Sequence, residues 1–166
     1  GIRRTTMADV ARTAQVSRAT LYRRYPNVQA LAAAVTTREF VAALSSMGLF
    51  DGATGRETIA RTVVHVTAAA RSHPLLRRIV ELDPEFLMPY LLHRTGRTSR
   101  AQLEAITGGI ATGQADGSIR AGEPAELAAV VLQLAWSSAL TGPVFTESAD
   151  LLDAQLFDLL DRYLAP

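Results

Sequence analysis

The sequence predicts an all-α protein, and three observations favour that fold class. No segment keeps the alternation of apolar and polar residues that marks a half-buried strand. No Asn-Gly or Asp-Gly turn lies between two β-branched runs; the Asp116-Gly117 pair instead separates two helical patterns. Alanine and leucine dominate the composition, and the prolines fall near helix starts or between helices.

Composition narrows the class of protein further. The 166 residues are 48% hydrophobic and 20% charged, which is ordinary for a globular protein with a buried core. No apolar run approaches the roughly 18 to 20 residues of a membrane span, and no cleavable signal pattern opens the chain. The absence of cysteine excludes disulfides and thiolate metal sites. We therefore expect a cytoplasmic protein that does not bind membranes.

The first 47 residues predict two short helices followed by a longer one. Thr6 is a predicted N-cap, and apolar residues with helical spacing follow it at Met7, Val10, Ala11 and Ala14. After a break at residues 15–16, Ser17 caps a second helix that ends near Tyr25, because the next residue is a proline. Asn27 then caps a helix over about 28–47. A short helix, a three-residue turn and a second short helix match a helix-turn-helix unit.

The remaining residues predict a separate helical body. A probable linker at 48–55 divides the chain into a head, residues 1–47, and a body, residues 48–166. The body helices are expected at about 56–72, 75–82, 85–94, 98–114, 124–141 and 149–164, with a turn at 116–122.

Charge is distributed unevenly between these two parts. Residues 1–25 hold six arginines and one acid, Asp9, whereas the later residues hold eleven arginines and fifteen acids. A basic head on a mildly acidic body is the arrangement expected when the head meets a polyanion.

The second helix carries the residues that favour DNA. Leu21 and Tyr25 lie within about 40° of each other on a helical wheel and form an inward stripe. The outward surface is made of small, hydroxyl, aromatic and guanidinium groups, namely Ala19, Thr20, Tyr22 and Arg23. Arg23 can fork onto guanine, Ala19 can touch a thymine methyl, and Thr20 and Tyr22 can reach a base or phosphate. The alternative is a solvated face of a generic α-hairpin.

These residues also carry a resemblance to a known family. The stretch "TTMADVARTAQVSRATLYRRYPNVQALAAAV" resembles the DNA-binding segment of the TetR family of bacterial repressors. The similarity covers about residues 1–36 and includes Thr-Thr, Ala-Asp-Val-Ala, Val-Ser and Thr-Leu-Tyr. It implies that the recognition helix runs from Ser17 to Arg24 and includes Arg18, and that Thr6 and Tyr22 contact backbone phosphate.

The sequence departs from the family pattern at three places. Gln15 occupies a turn position that is often glycine, and Val28 replaces a lysine that commonly reaches phosphate; Arg24 is a candidate replacement. The family also has a helix before "GIRRTT", so we expect the first helix of the DNA-binding domain to be missing from this sequence.

The last two predicted helices suggest a dimer interface. Apolar residues fall almost all round helix 124–141, so it must be covered on more than one side. In helix 149–164 a packing seam is expected at Leu152, Leu156, Leu159 and Tyr163, widened by Leu151 and Leu160. A monomer core would explain both patterns. The resemblance implies a four-helix homodimer interface instead, which a two-fold DNA reader needs to set its half-site spacing.

The middle helices supply candidate ligand contacts. Polar and aromatic groups among apolar ones suit a mostly apolar pocket with a few hydrogen-bonding anchors, here His65, Phe86, Met88, Tyr90, His93 and Trp136. Taken singly, each residue is better explained by core packing or surface exposure, and only the group as a whole favours a pocket. In TetR-like proteins a ligand in such a pocket releases the DNA.

No pattern predicts catalysis, a metal site or a cofactor. His65 and His73 are eight residues apart, too far for a metal pair on one helix, and Glu81, Asp83 and Glu85 suit a helix junction. We therefore expect a transcriptional regulator of a double-stranded DNA operator, most simply a repressor released by a small hydrophobic or amphipathic effector. The alternatives are a DNA-binding dimer controlled by a partner protein, or a helical enzyme or carrier with a vestigial head.

Overall fold

The computed structural model describes residues 1–46, 52–92 and 95–166, and every regular element in these ranges is helical. The predicted all-α class is therefore confirmed. The head consists of a 3-10 turn at Ile2–Arg4, α1 (Met7–Thr13), α2 (Arg18–Arg24) and α3 (Val28–Ser46). The body consists of α4 (Gly55–Ser72), α5 (Pro74–Leu82), a 3-10 turn at Pro84–Phe86, α6 (Met88–Leu92), α7 (Arg97–Ala115), α8 (Pro124–Leu140), α9 (Gly142–Phe145) and α10 (Ala149–Leu164).

Side-chain caps start the head helices where the sequence predicts them. Thr6 and Asp9 form a capping box at the start of α1, in which Thr6 Oγ1 accepts the Asp9 N–H at 3.1 Å. Ser17 Oγ accepts the Thr20 N–H at 3.0 Å and starts α2. Asn27 Oδ1 accepts the Ala30 N–H at 2.8 Å in the first turn of α3.

The turn between α1 and α2 requires one left-handed residue. Gln15 has φ +54°, and the Val16 N–H donates to the Ala11 carbonyl at 3.0 Å, which closes the end of α1. Glycine adopts this conformation without the steric clash that Cβ introduces. The expectation that Gln15 replaces a turn glycine is therefore confirmed by its backbone.

The body core forms where α4 packs against α7, α8 and α10. Its fully buried side chains include Ile110 of α7, Val131 of α8, and Leu160 and Leu164 of α10. The buried seam of α10 is Leu156, Leu160 and Leu164, so it is rotated from the predicted one. Leu159 is instead 50% exposed. A spacing of four residues keeps the seam on one side of the helix. Because leucines also lie at neighbouring positions, the sequence alone could not show which of them face the core.

The start of α4 lies directly against the end of α7. A Cβ added to Gly55 would come within 2.5 Å of the Gly113 Cα, so only glycine fits there. The first amide groups of α4 find acceptors on the following turn: Asp116 Oδ2 accepts the Gly55 N–H at 2.7 Å, and Ser118 Oγ accepts the Arg56 N–H at 3.0 Å. The predicted turn at 116–122 therefore also caps a distant helix.

Two expectations about element boundaries need correction, and a third concerns residues that the structure does not describe. The helix expected at 85–94 is broken into the 3-10 turn at Pro84–Phe86 and the short α6, and α9 has no counterpart in the expected elements. The division between head and body at 47/48 lies outside the described residues.

No helix in the described ranges is long and apolar enough to cross a membrane.

Shortening a leucine in this core should destabilise the fold strongly. Leu160 is fully buried among the core helices, so Leu160→Ala removes apolar contacts and leaves a cavity. We expect a loss of about 2–5 kcal/mol in the free energy of unfolding, measured by urea denaturation. Leu92→Ala is the matched control, because Leu92 is 63% exposed and its truncation should change stability by less than about 0.5 kcal/mol. Equal losses would contradict this description of the core.

Candidate nucleic-acid interface and ligand cavity

The outer face of α2 is exposed to solvent. Leu21 and Tyr25 are half-buried and hold the helix on the rest of the head. The side chains expected to contact DNA are all exposed, namely Thr6, Ser17, Arg18, Ala19, Thr20, Tyr22, Arg23 and Arg24. We refer to Arg18, Ala19, Thr20, Tyr22, Arg23 and Arg24 as the basic face.

The basic face keeps its positive charge. Within the described ranges, none of Arg18, Arg23 and Arg24 forms an ion pair with another side chain. Asp9, the one acid among the first 25 residues, is occupied on α1, where it accepts hydrogen bonds from Thr6 and from Arg12 at 3.0 Å. The hydrogen bond from the Thr6 hydroxyl contributes most to lowering the pKa of Asp9, so this carboxylate stays ionised without neutralising α2.

Three of the hydroxyl groups on this side of the head already have structural partners. Ser17 Oγ accepts the Thr20 N–H and lies 2.8 Å from the Thr20 hydroxyl. The Thr6 hydroxyl donates to Asp9 Oδ2 at 2.6 Å. A phosphate oxygen only accepts hydrogen bonds, so a phosphate contact by the Thr6 hydroxyl would require its single proton to leave Asp9.

A large cavity lies in the body and is closed on one side by the head. Its volume is about 1040 Å³. The helices α4, α7 and α8 supply most of its walls, and α3 supplies Ala30, Ala33, Thr36 and Thr37. A hydrogen bond of 3.0 Å between the hydroxyls of Thr98 and Thr37 joins α7 to α3 beside the cavity. A cavity of this size can enclose a drug-sized molecule.

Three of the six expected ligand contacts line this cavity, and two do not. Phe86, Tyr90 and Trp136 are part of the wall. The expectation for His65 and Met88 is corrected, because both side chains are exposed and neither is part of the wall. His65 lies about 200° round α4 from Val63, which faces the cavity, and Met88 lies as far round α6 from Tyr90. His93 lies outside the described residues.

Sequence reasoning missed most of the polar wall. Threonine and small residues recur every three or four positions on the cavity side of α4, at Thr58, Thr62, Val66 and Ala70. This spacing was available as a signal, but a threonine face also occurs on solvated helices. The remaining histidine has a structural role, since His73 Nδ1 accepts the Leu75 N–H at 3.3 Å and caps α5.

A buried carboxylate joins the head to the body. Asp83 is 3% exposed and follows α5, and it accepts backbone hydrogen bonds from Ile2 at 2.6 Å and Arg3 at 3.1 Å. Arg3 also forms an ion pair with Glu85. The hydrogen bond from the Arg3 amide contributes most to lowering the pKa of Asp83, so the joint is made by an ionised group. We call Ile2, Arg3 and Asp83 the head–body joint.

The joint lies next to the cavity wall. A smaller crevice of about 220 Å³ is lined by the three residues of the joint together with Phe86 and Tyr90. Phe86 and Tyr90 also line the large cavity, and their rings pack with centroids 6.0 Å apart. These two aromatic side chains therefore lie between the cavity and the joint.

Comparison with known proteins identifies the family. Residues 1–35 match the model of the bacterial regulatory proteins of the tetR family. An HTH-type transcriptional regulator of Mycobacterium bovis is 31% identical over 156 residues, which cover 94% of this chain and 77% of the relative. This chain belongs to the TetR family. It is therefore a DNA-binding transcriptional regulator and not an enzyme, as the sequence predicts.

Solved structures of TetR-family and other transcriptional regulators share the fold. The transcriptional repressor QsdR of R. erythropolis, from the TetR family, superposes with a TM-score of 0.67 at 21% identity, covering 95% of this chain and 83% of its own. The transcriptional regulator FadR of Bacillus subtilis, solved in complex with stearoyl-CoA, gives 0.68 at 15% identity, covering 99% and 91%. At 21% and 15% identity, the comparison with these two structures shows a shared fold and no more.

The head–body joint should make the thermal stability of the protein depend on pH. Because the pKa of Asp83 is lowered by folding, its contribution is complete above the unfolded value of about 3.9 and is lost as pH falls through the lowered pKa. Asp83→Asn removes the charge and turns an amide NH₂ towards one backbone N–H. We expect a lower melting temperature at pH 7 and a difference from the wild type that shrinks below about pH 4.

Thermal melts followed by circular dichroism between pH 3 and 7 measure this difference. The other carboxylates with lowered pKa, including Asp9 and Asp116, are present in both proteins and cancel in the comparison. Glu81→Gln is the control, since Glu81 is an exposed carboxylate on α5 close to Asp83. A difference between wild type and Asp83→Asn that does not vary with pH would contradict the role of the charge.

Proposed function

We propose that this regulator binds a double-stranded operator as a homodimer, acts as a repressor and releases its operator when a small molecule occupies the body cavity. The observation that carries the proposal is that the cavity and the head share α3 as a common wall. A ligand in this cavity would contact α3, the helix that directly follows α2 and its basic face in the chain.

The basic face supports major-groove recognition by α2. Its arginines are exposed and lack ion-pair partners in the described ranges, whereas Arg12 and Arg71 elsewhere are paired with acids at 3.0 and 2.7 Å. Cations that are not neutralised within the protein can release counterions from DNA. Ala19 lies beside them and lets the helix approach the base edges closely. Arg23 would read a base, and Tyr22, which is 54% exposed, would position the helix on phosphate.

Two routes connect the cavity to the head in this proposal. One is α3, whose Thr36 and Thr37 line the cavity. The other passes from Phe86 and Tyr90 to the head–body joint. A ligand shifts the equilibrium only if it binds the released arrangement better than the DNA-competent one. Packing against α3 and the two aromatic rings gives it contacts that differ between the two arrangements.

A small-molecule effector is favoured over control by a partner protein alone. A body completely filled by side chains would favour a regulator without a ligand, whereas this body contains a cavity of about 1040 Å³. FadR, which shares the fold, was solved with stearoyl-CoA, so this type of helical body is able to hold a small molecule. The effector of this chain need not resemble that ligand.

The uncovered side of α9 and α10 supports a homodimer through the last helices of the chain. Four large apolar side chains are exposed there: Val144 at 78%, Phe145 at 84%, Leu151 at 49% and Leu159 at 50%. A Cβ on Gly142 would lie 2.8 Å from Leu152 Cδ2, so α9 packs closely on α10 and its apolar residues adjoin that helix. Apolar side chains grouped in this way mark an interaction surface. In a homodimer with a two-fold axis, these side chains of both subunits would be buried in one shared interface.

Replacing Arg23 should reduce recognition of a particular sequence. The operator is first selected from random duplexes by the wild-type protein, and binding is then measured by fluorescence anisotropy. We expect Arg23→Ala to weaken operator binding by about 1–3 kcal/mol and to weaken random duplex much less, because a bidentate contact to guanine is lost. Arg78→Ala, at an exposed arginine of α5, is the control that should leave both affinities unchanged. Equal losses on both duplexes would show that Arg23 touches only phosphate.

A charge on the uncovered side of α10 should dissociate the dimer. Leu159→Glu places a carboxylate in the proposed apolar interface, and we expect the dimer dissociation constant to rise at least about tenfold. Light scattering after size-exclusion chromatography measures the change. Leu92→Glu alters a leucine that is 63% exposed on α6 and should leave the assembly intact. A wild-type protein that is monomeric at micromolar concentration would contradict the proposed dimer.

A further inference from the structure

The helix α7 begins at one end of the body cavity with unpaired hydrogen-bond donors. Its first three residues, Arg97, Thr98 and Ser99, all line the cavity. The first backbone hydrogen bond of the helix runs from the Arg100 N–H to the Gly96 carbonyl at 3.1 Å, so the three preceding amides have no acceptor within the helix. Gly96 supplies no side-chain cap, and no acid lies in the first turn. Among the described residues, these N–H groups are therefore left for another acceptor.

Ser99 adds an unpaired hydroxyl at the same place. The residue is only 8% exposed and lines the cavity. In the part of the chain that the structure describes, its hydroxyl forms no hydrogen bond, whereas the neighbouring Thr98 hydroxyl bonds to Thr37 at 3.0 Å. The unpaired polar atoms that protein encloses completely include Thr62 Oγ1 and Gln102 Oε1 but not Ser99 Oγ, which keeps accessible surface. A group in the cavity can therefore reach the Ser99 hydroxyl.

The charge at this end of the cavity is positive. Among the described residues that line the cavity, the charged side chains are those of Arg97, Arg100 and Asp116. Neither arginine forms an ion pair within the described ranges. Asp116 lies beyond the other end of α7, whose 19 residues span about 28 Å, and it accepts the Gly55 N–H. An anionic group beside Ser99 would thus meet two cations and the positive end of a helix dipole.

The rest of the cavity suits an apolar chain. Its wall between the two ends of α7 is rich in aliphatic and aromatic side chains, including Ile59, Val63, Val66, Ile106, Leu132 and Trp136. An apolar chain gains free energy by leaving water for such surroundings, whereas an ionised group there would lose its hydration without meeting an opposite charge. The cavity therefore combines an apolar compartment with an anion-binding end.

We propose that the start of α7 binds the carboxylate of an amphipathic effector whose apolar part fills the cavity. This inference rests on the proposed function, which assigns the effector to the same cavity. It adds the chemical class of the effector and the place of its charged group. The free amides and the Ser99 hydroxyl donate to the carboxylate, and Arg97 and Arg100 balance its charge.

The carboxylate subsite adjoins the contact between the body and the head. Thr98, whose amide belongs to the subsite, also bonds through its hydroxyl to Thr37 of α3. A carboxylate held by Ser99 therefore lies within one residue of the hydrogen bond that joins α7 to α3. In this proposal the charged end of the effector acts on the head through that bond.

Three probes that share one alkyl chain separate the candidate classes: decanoate, decylammonium and decanol. Trp136 is the only tryptophan of the chain and lines the cavity, so its fluorescence reports binding there. We expect decanoate to bind the wild-type protein at least about tenfold more tightly than decylammonium, because only the anion finds charge-assisted hydrogen bonds. Decylammonium that binds as tightly as decanoate, or no saturable binding of decanoate, would overturn the proposal.

Two substitutions of Ser99 test the subsite directly. Ser99→Ala removes one donor and should weaken decanoate binding about fivefold while changing decanol binding by less than about twofold. Ser99→Asp places a protein carboxylate at the free amides, so decylammonium should then bind more tightly than decanoate. Thr67→Val is the control, since Thr67 lines the same cavity and its hydroxyl donates to the Val63 carbonyl at 2.7 Å. Unchanged decanoate affinity in Ser99→Ala, or an unchanged order of the probes in Ser99→Asp, would refute the assignment.

The salt dependence of binding tests the two arginines. Arg97→Gln and Arg100→Gln should each weaken decanoate binding about two- to fivefold at low ionic strength, and the difference from the wild type should shrink as salt is added. Arg78→Gln changes an exposed arginine of α5 that does not line the cavity and should leave decanoate binding unchanged. Equal salt dependence in the wild type and in the double variant of Arg97 and Arg100 would contradict their role.

Operator binding in the same samples distinguishes this inference from the proposed function. If decanoate binds with the expected dependence on Ser99 but leaves the operator bound, the carboxylate subsite is supported and release by the cavity is wrong. If the wild-type protein binds its operator but does not prefer decanoate to decylammonium, the ligand class is wrong while DNA binding by α2 stands.

Discussion

The body of this regulator depends on the close approach of α4 to α7 at Gly55 and Gly113. Side chains at these positions would push the helices apart, and the amide groups that start α4 would lose Asp116 and Ser118 as acceptors. The Ser118 hydroxyl contributes most, and the Gly55 amide next, to lowering the pKa of Asp116, which keeps this acceptor ionised. With its start fixed, α4 packs along α7, α8 and α10 and can serve as the central helix of the body.

The same helix divides the body into a filled side and an open side. Leu156, Leu160 and Leu164 of α10 fill the space on one side, and none of them lines the cavity. On the other side, Thr62 and Val66 face the cavity towards α3. The buried packing therefore lies among α4, α7, α8 and α10, and the contacts between body and head are fewer. Regions with fewer buried contacts open at lower free energy, which is the property that a switching element needs.

Local features of this chain could be predicted from sequence because they depend on neighbouring residues. Thr6, Ser17 and Asn27 cap their helices as expected, since each bonds an amide only three residues away. The exposure of Ala19 and Arg23 followed from their angle to the inward stripe. Gln15 shows the same principle for a turn: the family pattern marked the position, and the backbone there is left-handed.

Long-range features could not be predicted, because they depend on which helix faces meet. Asp83 is separated by 80 residues from Arg3, and its sequence context fits a helix junction equally well. His65 and Met88 were plausible ligand contacts by composition, but their positions round α4 and α6 turn them to solvent. The polar wall of the cavity could not be predicted for the same reason, since the threonines of α4 line a cavity only because α3 and α7 lie opposite them.

Among the described residues the core cluster lies within the body, and head and body are joined beside the cavity by polar contacts. An apolar contact between α3 and α7 would fill the cavity and would fix the head in one position. The hydroxyl pair of Thr37 and Thr98, and the hydrogen bonds of Asp83 to the Ile2 and Arg3 amides, hold the head through directional contacts instead. Such contacts have a narrow range of favourable geometry, so a small displacement breaks them, whereas apolar packing yields gradually. In the proposed function, the head is therefore held in a defined position while the free energy needed to release it stays within the reach of a ligand that binds between α3 and α4.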